Sequence, residues 1–67
     1  MARTPHLSGD DTAVLRLLSR GLTTEAIARD LSMSERTLRR RSRVICDRIG
    51  VKTPIEAVVW AVRHDLI

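Results

Sequence analysis

Between Ser34 and Gly50 the chain reads SERTLRRRSRVICDRIG, and its chemistry is that of arginine. Six guanidiniums, on Arg36, Arg39, Arg40, Arg41, Arg43 and Arg48, stand against only Glu35 and Asp47, a local net charge of +4. The whole 67-residue protein also carries +4, so everything outside this stretch balances to zero. A basic excess confined to one short element points to a polyanion at that element. The other reactive side chains do not assemble. His6 and His64 lie near opposite ends, and no Ser/His/Asp or His/Glu spacing suggests a triad or a metal site. No catalytic residue, metal ligand or cofactor is expected, and the chain reads as a non-enzyme.

The single Cys46 excludes a disulfide framework and a cysteine-based metal site. It reads as a small residue at the edge of the basic element. With no Phe or Tyr and one Trp60, there is no aromatic platform on which to stack bases. That counts against sheet-based binders of single strands or RNA. No apolar run approaches the roughly 18 residues of a membrane span, and the N-terminus shows no signal-peptide pattern. The expectation is a soluble, cytoplasmic protein that meets no membrane.

The basic stretch must be a helix, expected over 35–49. Ser34 is a good N-cap, Glu35 suits the positive end of the helix dipole, and Gly50 supplies the left-handed residue that ends helices. At about 100° per residue, Leu38, Ser42, Ile45 and Ile49 share one narrow sector. Arg36, Arg39, Arg40 and Arg43 lie opposite, with Val44 and Asp47 beside them. Arg41 and Arg48 flank the apolar sector, where their stems can lie on the protein and their heads reach outward.

Three more helices must hold it. Met1 to Leu7 is expected to be a polar, flexible arm, a loose solvated tail in preference to one whose Arg3 and His6 touch DNA, and the domain begins at Ser8. Ser8 and Asp11 have the spacing of a capping box, and Val14, Leu15, Leu17 and Leu18 give an apolar stripe, so a first helix is expected at about 9–20, stopped by Gly21. Thr23 caps a second, at about 24–31, with Ala26, Ile27 and Leu31 toward the core and Ala28 at a close helix contact. Ser32, Met33 and Ser34 form a tight turn, with Met33 in the corner. A short helix, a three-residue turn and a longer basic helix make a helix-turn-helix. Thr53, Pro54 and Glu56 start a last helix, at about 54–64. Ile55, Val58, Val59, Val62 and Leu66 fall on one side of it, and Ala57, Trp60 and Ala61 on much of the other. A helix apolar on two faces in so small a domain suggests that one face meets a partner. The fold class is all-α, a compact four-helix helix-turn-helix domain spanning 8–67.

The run LSGDDTAVLRLLSRGLTTEAIARDLSMSERTLRR, the Ile-Gly-Val at Gly50 and the EAVVWAV of the last helix resemble the DNA-binding domain of the LuxR/NarL class of bacterial transcription regulators. The resemblance covers nearly the whole chain. It implies a third helix in the major groove of double-stranded DNA and a fourth used to form a homodimer. The family's base-reading positions match Arg39, Arg40 and Arg43. Its phosphate-contacting positions match Thr23, Thr24, Ser34, Arg36 and Thr37. Its core positions match Val14, Leu15, Ile27, Ala28, Leu31, Leu38, Ile45, Ala57 and Ala61. Ala26 and Ala13 stand where the family commonly has Glu, Arg41 where it has His, and Val44 where it has Asn.

The functional expectation is sequence-specific DNA binding by a bacterial regulator, of the kind that forms a response-regulator output domain. Arginine on phosphate releases counterions and supplies affinity, and arginine on guanine O6 and N7 supplies discrimination. Val44 can meet a thymine methyl. Ser34 and Thr37, with the helix N-terminus, can anchor a phosphate, and Lys52 joins the phosphate set. Ile55, Val58, Val59 and Val62 are the expected dimer contacts, and RNA polymerase is a further expected partner. Two alternatives stand beside this reading: a sigma-factor-like promoter-recognition domain, and a protein-interaction module that binds no DNA.

Overall fold

The computed structural model describes residues 7–67; residues 1–6, and with them Arg3 and His6, lie outside the described part. Four helices follow in order: α1 Gly9–Ser19, α2 Thr24–Asp30, α3 Glu35–Ile49 and α4 Pro54–Arg63. Each start is fixed by a hydroxyl that accepts a backbone N–H of the first turn, which would otherwise lack a partner. Ser8 caps through Asp11 N at 3.1 Å, Thr23 through Ala26 N at 3.1 Å, Ser34 through Thr37 N at 3.0 Å and Thr53 through Glu56 N at 3.2 Å. Two of these are reciprocal capping boxes, Ser8 with Asp11 and Thr53 with Glu56. In α4 the Glu56 carboxylate also accepts the Lys52 amide at 2.7 Å, tying the α3–α4 link to the helix it leads into. In α2, Ala26 at the third position leaves only half a box.

Three helices end one residue earlier than the sequence suggests, because Arg20, Leu31 and His64 are C-caps rather than helical residues. Gly50 closes α3 at φ 77°, in the left-handed region that side chains avoid. The α2–α3 turn takes the same region at Ser32, φ 55°. There Met33 donates its amide to Ala28 O at 2.9 Å and its side chain packs, half-buried, on the core.

The core gathers Val14 and Leu15 from α1, Ile27 and Ala28 from α2, Leu38, Ile45 and Cys46 from α3, and Ala57 and Ala61 from α4. α3 touches all three other helices, whereas α2 and α4 do not touch each other. The basic helix therefore packs against every other helix, as α1 also does. That packing corrects the placing of Cys46. The thiol is buried in the core, not at an edge, because α2 and α4 pack on two sides of α3 and widen its covered sector. Leu7 is also reassigned: it is half-buried against the core and belongs to the domain rather than to an arm.

Ile27 is completely buried and is the largest core side chain that α2 contributes. Ile27→Ala is expected to lower unfolding free energy by about 2–5 kcal/mol, measured by urea denaturation. A loss well under 1 kcal/mol would show that α2 is not held by this side chain.

Candidate nucleic-acid interface

Arg36, Arg39, Arg40 and Arg43 are all exposed, at the i, i+3, i+4 and i+7 spacing that puts side chains on one helical face. Together they line one shallow depression of about 300 Å3 with no other side chain in its rim. Behind them Leu38 and Ile45 are buried almost completely. The helix thus keeps four permanent positive charges in water with its back in the core.

Two further grooves flank this face. One, of about 440 Å3, brings Thr24 from α2 and Lys52 from the α3–α4 link beside Arg39 and Arg43, over an apolar floor that includes Leu38, Cys46 and Val51. The other, of about 420 Å3, joins Thr37, Arg40 and Val44 to Ser8, Asp11, Arg41 and Arg48. Of the residues singled out from the sequence, Thr24, Arg36, Thr37, Arg39, Arg40, Arg43, Val44 and Lys52 therefore surround α3 on one continuous tract. Val44 is 45% exposed, an apolar spot between cations. Thr23 and Ser34 stand at the starts of α2 and α3 with their hydroxyl oxygens engaged as caps. The Ser34 hydroxyl also donates to Thr37 Oγ1 at 2.9 Å.

Arg41 and Arg48 depart from expectation. Their heads do not reach outward; they turn toward the start of α1. Arg48 Nη1 donates to Asp11 Oδ2 at 3.3 Å, and Arg41 Nη1 lies 3.8 Å from both Asp11 Oδ1 and Asp10 Oδ2. The Asp11 side chain is only 8% exposed, and its carboxylate also accepts the Ser8 amide at 3.2 Å. Removing a carboxylate from water is costly unless it gains opposite charge and hydrogen bonds, and the two arginines supply both. Sequence reasoning saw Asp11 only as a cap. Its partners lie on another helix, 37 residues away in the case of Arg48, and nothing local announces such a pairing.

On α4, Ala57 and Ala61 face inward, and Ile55 (70%), Val59 (44%) and Val62 (53%) are exposed. Val58 differs from the other expected dimer contacts: it is half-buried and packs on the core. Trp60 is also half-buried, and its ring stacks on that of His64 with centroids 4.1 Å apart.

These features define a four-helix domain of the helix-turn-helix class with an arginine-faced third helix. Residues 5–61 match the family described as bacterial regulatory proteins, luxR family, and the chain belongs to that family. It is also similar to the transcriptional regulatory protein YdfI of Bacillus subtilis (strain 168), 34% identical over 62 residues. That match covers 92% of this chain and 29% of the relative, so the chain spans under a third of the relative's length.

Burial pushes the Cys46 thiol above its ordinary pKa, and the nearby Asp47 and Glu56 carboxylates push it further the same way. The raised value favours the neutral thiol, which is the unreactive form. Alkylation of Cys46 at pH 8 is expected to be much slower in the folded protein than in guanidinium. Equal rates in the two conditions would contradict the burial of the thiol.

Proposed function

We propose that this domain binds double-stranded DNA sequence-specifically, as part of a bacterial transcription regulator acting in the cytoplasm, with α3 in the major groove. The observation that carries the proposal is the exposed arginine face of α3, set on a buried apolar back, in a chain of the luxR family. Arg36, with Lys52 and the Thr24 and Thr37 hydroxyls, meets phosphates and fixes register. Thr23 and Ser34 contribute through the helix N-termini they cap, where backbone N–H groups and the helix dipole favour an anion. Arg39, Arg40 and Arg43 reach base edges, where a bidentate fork on guanine O6 and N7 is worth about 1–3 kcal/mol of discrimination. Val44 meets a thymine methyl.

We also propose that two copies pair on DNA through α4. The support is the exposed trio Ile55, Val59 and Val62, three apolar side chains on one helix of a small domain. Their self-pairing would set the spacing between two half-sites, as protein symmetry does in helix-turn-helix dimers.

Gel shifts on a duplex selected from a random pool, and on its scrambled version, test the division of roles. Arg43→Ala is expected to shrink the ratio of the two affinities about 5- to 100-fold, the equivalent of one lost base contact. Arg36→Ala is expected to weaken both duplexes about equally. Equal losses on both duplexes for both variants would refute the assignment. Val59→Glu is expected to leave binding to a single half-site intact and to abolish cooperative binding to paired half-sites. Unchanged cooperativity would remove α4 from the pairing surface.

A further inference from the structure

We infer that Asp11 is a positioning residue of the DNA-reading surface: by holding Arg41 and Arg48 it withdraws two cations from phosphate and so limits the sequence-independent share of the affinity. The inference deepens, and rests on, the DNA-binding reading proposed above.

Arg41 and Arg48 are seven residues apart, two helical turns or about 10 Å along α3. They line the edge of the exposed face, next to Arg40 and Val44 in the same groove. Their side chains remain one-third and nearly one-half exposed, 34% and 46%. From such an edge a long, flexible arginine can swing to a phosphate. The carboxylate that opposes this comes from a different helix. Asp11 spans the two turns with its two oxygens, Oδ2 at 3.3 Å from Arg48 Nη1 and Oδ1 at 3.8 Å from Arg41 Nη1. Asp11 itself cannot follow the arginines outward. Its side chain is 8% exposed, and Oδ2 accepts the Ser8 amide in the α1 capping box. Asp10, which also faces Arg41 at 3.8 Å, is 83% exposed and free to move with it, so Asp11 is the fixed member of the pair. One buried carboxylate thus orients the edge of α3 against α1 and divides its six arginines into four that face outward and two that share its negative charge.

The division has a direct readout. The logarithm of the binding constant falls with the logarithm of salt concentration by about 0.9 per phosphate neutralised on duplex DNA. Arg36→Gln is expected to reduce that slope by about 0.9, whereas Arg41→Gln and Arg48→Gln leave it unchanged. Asp11→Asn removes the fixed negative charge that both arginines face. It is expected to steepen the slope by about 1–2, to raise affinity for a scrambled duplex, and to lower the selected-to-scrambled ratio, and Asp11→Glu restores the original values. A purely structural brace would lower the melting temperature in Asp11→Asn without altering the slope or the ratio, and that result overturns the inference. A reduction of the slope by Arg41→Gln equal to that by Arg36→Gln also overturns it. If Asp11→Asn does not fold, the arginine variants decide alone. Binding by the wild-type chain to no duplex, selected or scrambled, at low salt would defeat the DNA-binding reading and this inference together. Wild-type binding with an unmoved Asp11→Asn slope defeats this inference only.

Discussion

The structure depends on α3 living in two environments at once. A helix with six arginines over 15 residues has too much charge to be covered and too little intrinsic reason to stay fixed in water. It is held because one face is apolar, and Leu38, Ile45 and Cys46 on that face are met from three directions. Every other helix contributes to that contact, and α1 and α4 also pack on each other. α1 offers Val14 and Leu15, α2 offers Ile27 and Ala28, and α4 offers Ala57 and Ala61, small enough to let the backbones approach closely. Thin cores are characteristic of domains this short, so the loss of any one large buried side chain weighs heavily on the whole.

The charges are organised by the same economy. A guanidinium at the centre of the outer face has only water around it and is left to a ligand. A guanidinium at the edge lies within reach of another helix, and there the fold provides acids. The start of α1 carries Asp10 and Asp11, where the positive end of the helix dipole favours them. The carboxylates of the first turn of α1 therefore also face the flank of α3. Local helix chemistry and long-range charge pairing meet in the Asp11 side chain, which is the only buried polar or charged residue among those described.

Much of this was legible in the sequence, because the signals were local. Hydroxyl caps at Ser8, Thr23, Ser34 and Thr53 and the glycine stops at Gly21 and Gly50 mark helix ends within a residue or so. The 3.6-residue period of α3 separates Arg36, Arg39, Arg40 and Arg43 from Leu38 and Ile45 with no knowledge of the other helices. The failures are the non-local ones. Cys46 lies between the two faces of α3, and only the packing of its neighbours decides that it is covered. Val58 looked equivalent to Val59 on a helical wheel, yet the angle of α4 against the core buries one more than the other. Periodicity places Arg41 and Arg48 on a flank of α3 and says nothing of the Asp11 carboxylate that lies across it. The resemblance to a known family supplied what periodicity could not, the use to which such a face is put.

The central claim is that the arginine face of α3 lies on duplex DNA while the reverse stays in the core. Amide chemical-shift mapping by NMR, with a duplex selected from a random pool added to the labelled domain at moderate salt, tests it most directly. If the claim holds, the largest shifts fall on the amides of residues 34–44 and at the start of α2, with the amides of buried Ile45 and Ala61 little moved. Shifts confined to α4, or no saturable shifts at all, would contradict it.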